Sequence, residues 1–302
     1  MVTYTTLELT NKVRGTRLIL SNEPSNFDVV LEHILWEPVT GDNNYVGYIN
    51  MIGSALMSTI LIPRRAELKA WLIADNEAEM LDKKAVVKRF FNPKQDIDIV
   101  YKDWTIEVKP DTSVRFNDLD PDRENNEILC TFLVQLTAKM PLWQLKDRVI
   151  MRESIASGVP LFPFVSCIDD GFIWGIIPAE AVRNPNNEGD VDVGFIIRIK
   201  AAHGAVTNPK ITNQRTGTHI EILAEMAHHD EIELSTIMGN QYIRLFRGGI
   251  YETNIFNAHT TASSMSMTLG VGENELTISA IGNSENIETE IFFSPMWFEV
   301  QQ

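Results

Sequence analysis

Cysteine is scarce in this chain: Cys130 and Cys167 are the only two in 302 residues. A secreted disulfide scaffold would carry more. The reading is two reduced, mostly buried thiols in a protein made in a cytoplasm, with one long-range disulfide as the alternative. Positive charge is also short. Lys plus Arg number 26 and Asp plus Glu number 41, a net charge of −15. That sign argues against a binder that works by neutralising nucleic-acid phosphates. It argues equally against docking on an anionic membrane surface. No apolar run approaches the ~18 residues of a membrane helix. The opening MVTYTTLELTNKVRG lacks the apolar core of a signal peptide, so none is expected.

Catalytic signatures are missing too. There is no G-x-S-x-G elbow and no phosphate-binding loop. Gly270-Val271-Gly272 lacks the third glycine of a dinucleotide fingerprint and falls in a strand pattern. Asp118-Leu119-Asp120-Pro121-Asp122 resembles the start of a calcium loop. Counted from Asp118, the sixth and twelfth positions are Arg123 and Leu129, where an EF-hand needs Gly and Glu. His228-His229-Asp230, with His219, Glu221 and Glu225 nearby, is the one metal-like cluster. Adjacent histidines in a strand point to opposite faces, and these two sit between strand patterns, where a solvated turn is expected. Neither cysteine has an activating neighbourhood. The acids always allow some carboxylate pair, and nothing singles one out for glycoside hydrolysis. The sequence therefore assigns no catalytic, cofactor-binding or metal-ligating residue, and the expectation is a protein that is not an enzyme and needs no cofactor. Trp36, Trp71, Trp104, Trp143, Trp174 and Trp297 lie in apolar runs and read as core.

What is present is a folded composition, 44% hydrophobic and 22% charged, with room for two domains. Thr16–Leu20 and Phe27–Ile34 hold apolar clusters without helical spacing. Val39–Asn44 reads as a loop. Leu56–Pro63 and Ala66–Ile73 read as strands around Arg64 and Arg65. Glu77–Phe91 is the clearest helix. Asn76 is its N-cap, Glu79 completes a capping-box-like pair, and Asn92-Pro93 stops it. Its apolar face is read as Met80, Leu81, Val87, Phe90 and Phe91. Ile97–Tyr101 and Trp104–Val108 form a hairpin across Lys102-Asp103, and Leu129–Ala138 is a further strand. The second half alternates through Val193–Ile199, Ile220–Met226 and Ile232–Leu234. A hairpin is read for Met265–Leu269 with Leu276–Ala280. Turns are read at Asn184–Asp190, Thr207–Asn213 and Ala227–Asp230, and a last strand at Ile291–Val300. The fold class is mainly β with one amphipathic helix. The domains are 1–143, a linker 144–159, and a β-sandwich over 160–302.

The order of these blocks resembles the distal tail proteins of siphophages, phages with long flexible tails. In the first half the resemblance lies in Arg64/Arg65, Trp71-Leu-Ile-Ala-Asp75 leading into Met80–Phe91, Asn92-Pro93, the Ile97–Val108 hairpin, and Phe132–Leu136 ending at Met140-Pro141-Leu142-Trp143. In the second half it lies in Asn184–Asp190, Asn208-Pro209-Lys210-Ile211-Thr212-Asn213, Thr216–Ile222, Asp230–Leu234 and Gly272–Ile278. His228-His229 stand where the family more often has a glycine-containing turn. Residues 1–60 carry little of the resemblance. It implies a structural virion protein: an N-terminal domain that builds a homo-hexameric ring, and a galectin-like C-terminal β-sandwich. It implies a place at the virion tail tip, after synthesis and assembly in the bacterial host cytoplasm. The implied partners are the tail tube protein, a tape-measure or tail-associated protein, and receptor-binding proteins, with DNA passing through and no membrane. The alternative function is a carbohydrate-binding β-sandwich adhesin. The acidic loop Asp118–Glu127 is read as a lumen surface, or else as a solvated outer loop.

Overall fold

The computed structural model describes residues 6–22, 29–47, 54–118, 129–146, 149–154, 159–160, 166–167, 171–172, 175–176 and 181–300. Their contacts divide the chain into two units: Met1–Lys146 with Trp297–Gln302, and Asp147–Met296. Both are built of strands, and the described residues contain one α-helix.

The first unit comprises β1 (Thr6–Asn11), β2 (Arg17–Ser21), β3 (Val29–Trp36), β4 (Gly41–Val46), β5 (Ala55–Leu61), β6 (Arg64–Ile73), α1 (Glu77–Phe90), β7 (Ile97–Tyr101), β8 (Trp104–Pro110), β9 (Arg115–Asp118), β10 (Leu129–Ala138) and β11 (Trp143–Leu145). Seven of them run in the order β8-β7-β1-β2-β3-β6-β10, and β8 pairs again with β10. The sheet thus closes on itself as a barrel, which hides most of its edges. Alternation explains the interior. Leu68, Ala70 and Leu72 of β6 and Cys130, Phe132, Val134 and Leu136 of β10 all point inward. Cys130 is buried there; the Cys167 side chain lies outside the described residues.

α1 begins where the sequence places it. The Asn76 side chain accepts from the Glu79 backbone N–H at 3.0 Å, and Glu79 accepts from Asp75 N–H at 2.9 Å. Lys83 one turn on pairs with Glu79. These two partners, the Lys83 bond first, hold the Glu79 carboxyl below its usual range. Met80, Val87 and Phe90 turn inward, and the Phe91 ring meets that of Phe132 at a tilt, 6.1 Å between centres. Leu81 does not join them. It is 59% exposed, because it sits about 100° around the helix from Met80. Asn11, fully buried, ties the far end: its amide donates to Phe90 O and Gln95 Oε1 while its oxygen accepts from Val13 and Arg14 N–H.

The second unit is a sandwich. One sheet has six strands in the order Val149–Ser154, Ile287–Phe293, Phe195–Ala201, Glu231–Ser235, Tyr242–Arg247, Ile250–Asn254. The other orders Ala181–Arg183, Leu276–Gly282, Val206–Asn213 and Thr218–Glu221, with Glu225–Met226 also on Val206–Asn213. Inward residues of both, such as Phe195, Ile197, Ile211, Ile278 and Phe293, share one core.

Several expectations change here. Val149–Ser154 lies inside the expected linker yet pairs with Ile287–Phe293 as a strand of the sandwich. Trp297 onward returns to the first unit, where Trp297 meets Trp104 edge-on at 4.5 Å. Val39–Asn44 is not all loop: its last four residues open β4. Thr207–Asn213 is a strand, in spite of Pro209. The backbone turns to positive φ at Asn208, and the pairing partner changes there from Glu225–Met226 to Thr218–Glu221. Such a switch tolerates a proline without an amide donor. Met265–Leu269 forms no hairpin with Leu276–Ala280. Asn274, buried, ties the connection into a loop by donating to Gly270 O, Gly272 O and Pro185 O and accepting from Gly270 N–H. Meanwhile Met267 and Leu269 plug the core. Asn274→Ala leaves these groups unmet and is expected to lower the second unit's stability by about 2–3 kcal/mol; calorimetry of the full chain checks it.

Candidate assembly surfaces

Among the described residues the β4–β5 hairpin pairs with no other strand and forms a sheet of its own. Its register shifts at Asn44/Tyr45, a bulge that sets Tyr45 opposite Leu56. Nearly every side chain on it faces solvent. Tyr45, Leu56, Met57 and Ile60 are 56%, 54%, 58% and 66% exposed. A two-stranded ribbon is marginal in water by itself. Large apolar side chains left in solvent on both faces of a ribbon mark a contact with another molecule. Its root is fixed: Ile62 N–H donates to Thr40 O at 3.0 Å.

Beside that root lies an open groove of about 1070 Å³. Leu35 and Ile62 give it apolar walls, and Glu37, Glu67 and Asp111 give it three acids against the single cation Arg65. These residues come from β3, from the run into β6, and from the end of β8. Alternation along β6 aims Arg65 and Glu67 away from the barrel interior that takes Ala66 and Leu68. Beneath the groove, Arg64 is buried. Its guanidinium donates to Glu37 O at 2.5 Å, Phe298 O at 2.9 Å and the Glu299 carboxylate at 2.5 Å, and it stands 5.3 Å from the Trp36 ring centre.

The second unit offers a different kind of surface. On the outer face of its six-stranded sheet, Arg198 bonds Glu233 at 2.8 Å and also approaches Glu231 and Glu290. Tyr242 donates to the other Glu233 oxygen at 2.8 Å. The Glu233 bond, with the surrounding acids, raises the Arg198 pKa; burial pushes the Glu231 carboxyl up. The donors and acceptors here satisfy one another.

The histidines lie at one end of the same unit. His228 and His229 stack at 3.6 Å in the Ala227–Asp230 turn, with His229 at φ +70° and the Asp230 carboxylate accepting from Ala227 N–H. The expected turn is there. No group of three or more His, Cys, Asp or Glu among the described residues is placed to hold a metal. Residues 119–128, most of the acidic loop Asp118–Glu127, lie outside the described residues, as does Trp174. Trp104, Trp143 and Trp297 are core as read, whereas Trp36 and Trp71 are half-buried.

Residues 188–297 match the profile of the siphovirus-type tail component, C-terminal domain. Over these residues the chain is similar to a siphovirus-type tail domain. The resemblance to siphophage distal tail proteins read from the sequence therefore holds. The matched residues run from just beyond the strand Asn186–Asn187 to the end of the sandwich. No curated protein matches the chain. Among solved structures, the SPP1 Dit protein, titled a paradigm of the hub adsorption apparatus in phages infecting Gram-positive bacteria, aligns over 96% of this chain and 98% of its own. The TM-score is 0.66 at 10% identity, so the fold is shared. A structure of the phage p2 baseplate in its activated, calcium-bound conformation aligns over 97% and 98%, with a TM-score of 0.48 and 11% identity.

The exposed ribbon escapes sequence reasoning in part. Leu56–Ile62 is apolar enough to suggest a core strand, and no local signal says that its partner is only the polar run Gly41–Val46. The groove has no linear signature, since its walls are up to a hundred residues apart.

Proposed function

We propose that six copies of this chain close a ring through their first units, and that the ring joins the tail tube to the tip and lets DNA pass. The tail-domain match at 188–297 carries the hub reading. The exposed β4–β5 ribbon supports assembly through the first unit, because its apolar side chains have no cover among the described residues. The role is architectural, without catalysis or a cofactor. The partners above and below the ring are a tail tube protein and a tail-associated or tape-measure protein; receptor-binding proteins attach at the periphery. The net charge of −15 per copy suits DNA transit, since like charges keep the polymer off the wall. An antibody against the chain is expected to label the distal end of the tail in negatively stained particles of a phage that carries it. Label on the capsid, or none on the particle, would contradict a tail-tip hub.

A further inference from the structure

We propose that the outward face of α1 in one copy seats in the acid-lined groove of the next copy, and that this contact repeats around the assembly. It rests on the ring reading above and specifies which surfaces meet. α1 turns Met80, Val87 and Phe90 inward, which leaves Leu81 and Val86 outward at 59% and 56% exposure. Lys88 is exposed on the Leu81 flank, Arg89 is exposed between Leu81 and Val86 beside the exposed Asp82, and Arg115 is exposed on the adjacent β9. Phe116 of β9 holds the Lys84 and Lys88 ammonium groups 5.8 and 5.4 Å from its ring centre, which gathers the cations into one patch. Lys88, Arg89 and Arg115 make no ion pair among the described residues. With Lys84, these cations outnumber Glu77 and Asp82, the exposed acids of the same helix surface, and leave it net positive in a chain of net charge −15.

The groove is its complement. Three acids face one cation, and neither Glu37 nor Glu67 makes an ion pair among the described residues. Leu35 and Ile62, 40% and 42% exposed, supply apolar contacts for Leu81 and Val86. Charges of opposite sign around an apolar centre are the ordinary make-up of a protein contact, and they steer the encounter. The two faces lie at opposite ends of β6. The groove takes Arg65 and Glu67, while α1 starts four residues beyond Ile73. Ala66 to Ile73 spans about 23 Å at strand spacing. The faces therefore do not overlap, and each copy offers one of each. A contact between two different faces is head-to-tail, the kind that closes rings. The β4–β5 ribbon rises from the groove's rim at Ile62 and lies next to the seated helix.

The test is charge reversal on either side of the contact. Full-length chain is followed by light scattering and negative stain at low salt. Lys88→Glu with Arg89→Glu is expected to abolish the ring, as is Glu37→Lys with Glu67→Lys. Combining all four is expected to restore it, which a misfolded variant would not do. A ring that survives either reversal at wild-type mass overturns this contact and leaves the ring reading standing. Rings lost in both reversals and not recovered in the combination also overturn it. A wild-type chain that never assembles takes down both.

Discussion

Replacing residues 41–61 by a two-residue turn is expected to leave the first unit folded and to abolish the ring. The cut is feasible because the ribbon is closed at its root by the Ile62 to Thr40 hydrogen bond, so a hairpin turn spans the gap. The barrel loses no strand, since among the described residues β4 and β5 pair only with each other. The assembly loses the cover over Tyr45, Leu56, Met57 and Ile60. Each is already about half-buried, so covering the rest contributes about 1 kcal/mol apiece. Four together come to about 4 kcal/mol per contact, roughly a thousandfold in affinity. Scattering should report monomer where the wild type gives a ring, with the circular dichroism unchanged. A ring of wild-type mass would mean that the ribbon lies outside the contact.

Arg64→Ala is the substitution with the largest expected effect on stability. The side chain is 2% exposed and satisfies three acceptors at once: Glu37 O, Phe298 O and the Glu299 carboxylate. Alanine strands two backbone carbonyls and leaves a hole beside Trp36. Glu299 is half in solvent, so its carboxylate rehydrates and the ion pair itself counts for little. The loss is mainly the stranded carbonyls and packing, about 3 kcal/mol. For a unit of about 150 residues that lowers the melting temperature by about 6–12 °C. Calorimetry should show this on one of two transitions, since the arginine and its acceptors all belong to the first unit. A shift under about 2 °C would mean that Arg64 does not hold the returning segment Phe298–Glu299. Lysine should rescue only in part, because it lacks the planar fork.

The elements that the sequence reveals are those whose physics is local. α1 is legible from Asn76, Glu79 and Pro93, which act within four residues of its ends. The β7–β8 hairpin and β10 follow from period-two alternation around a two-residue turn. The inner face of β10 could be named residue by residue. What alternation cannot say is where a strand goes. Leu56–Leu61 and Ala66–Ile73 look alike in composition, yet β6 lines the barrel and β5 stands in solvent. The difference is set by pairing partners far away. Thr207–Asn213 misleads in the opposite direction: Asn and Pro usually mark turns, and here they mark the point where a strand changes neighbours. The return of Trp297 to the first unit depends on Arg64 and Trp104, some two hundred residues back, and leaves no trace in the local pattern. The candidate surfaces share this character. The groove and the basic face each become visible only when separate strands bring their charges together, although the outward side of α1 could have been read from the helical angle of Leu81.

The mass of the purified full-length chain in solution, by light scattering over a concentration series at low salt, tests the central claim most directly. The account predicts a plateau at six times 34.2 kDa, about 205 kDa, with a ring in the stained images. A mass that stays at 34.2 kDa across the series, with no ring in the images, would contradict it.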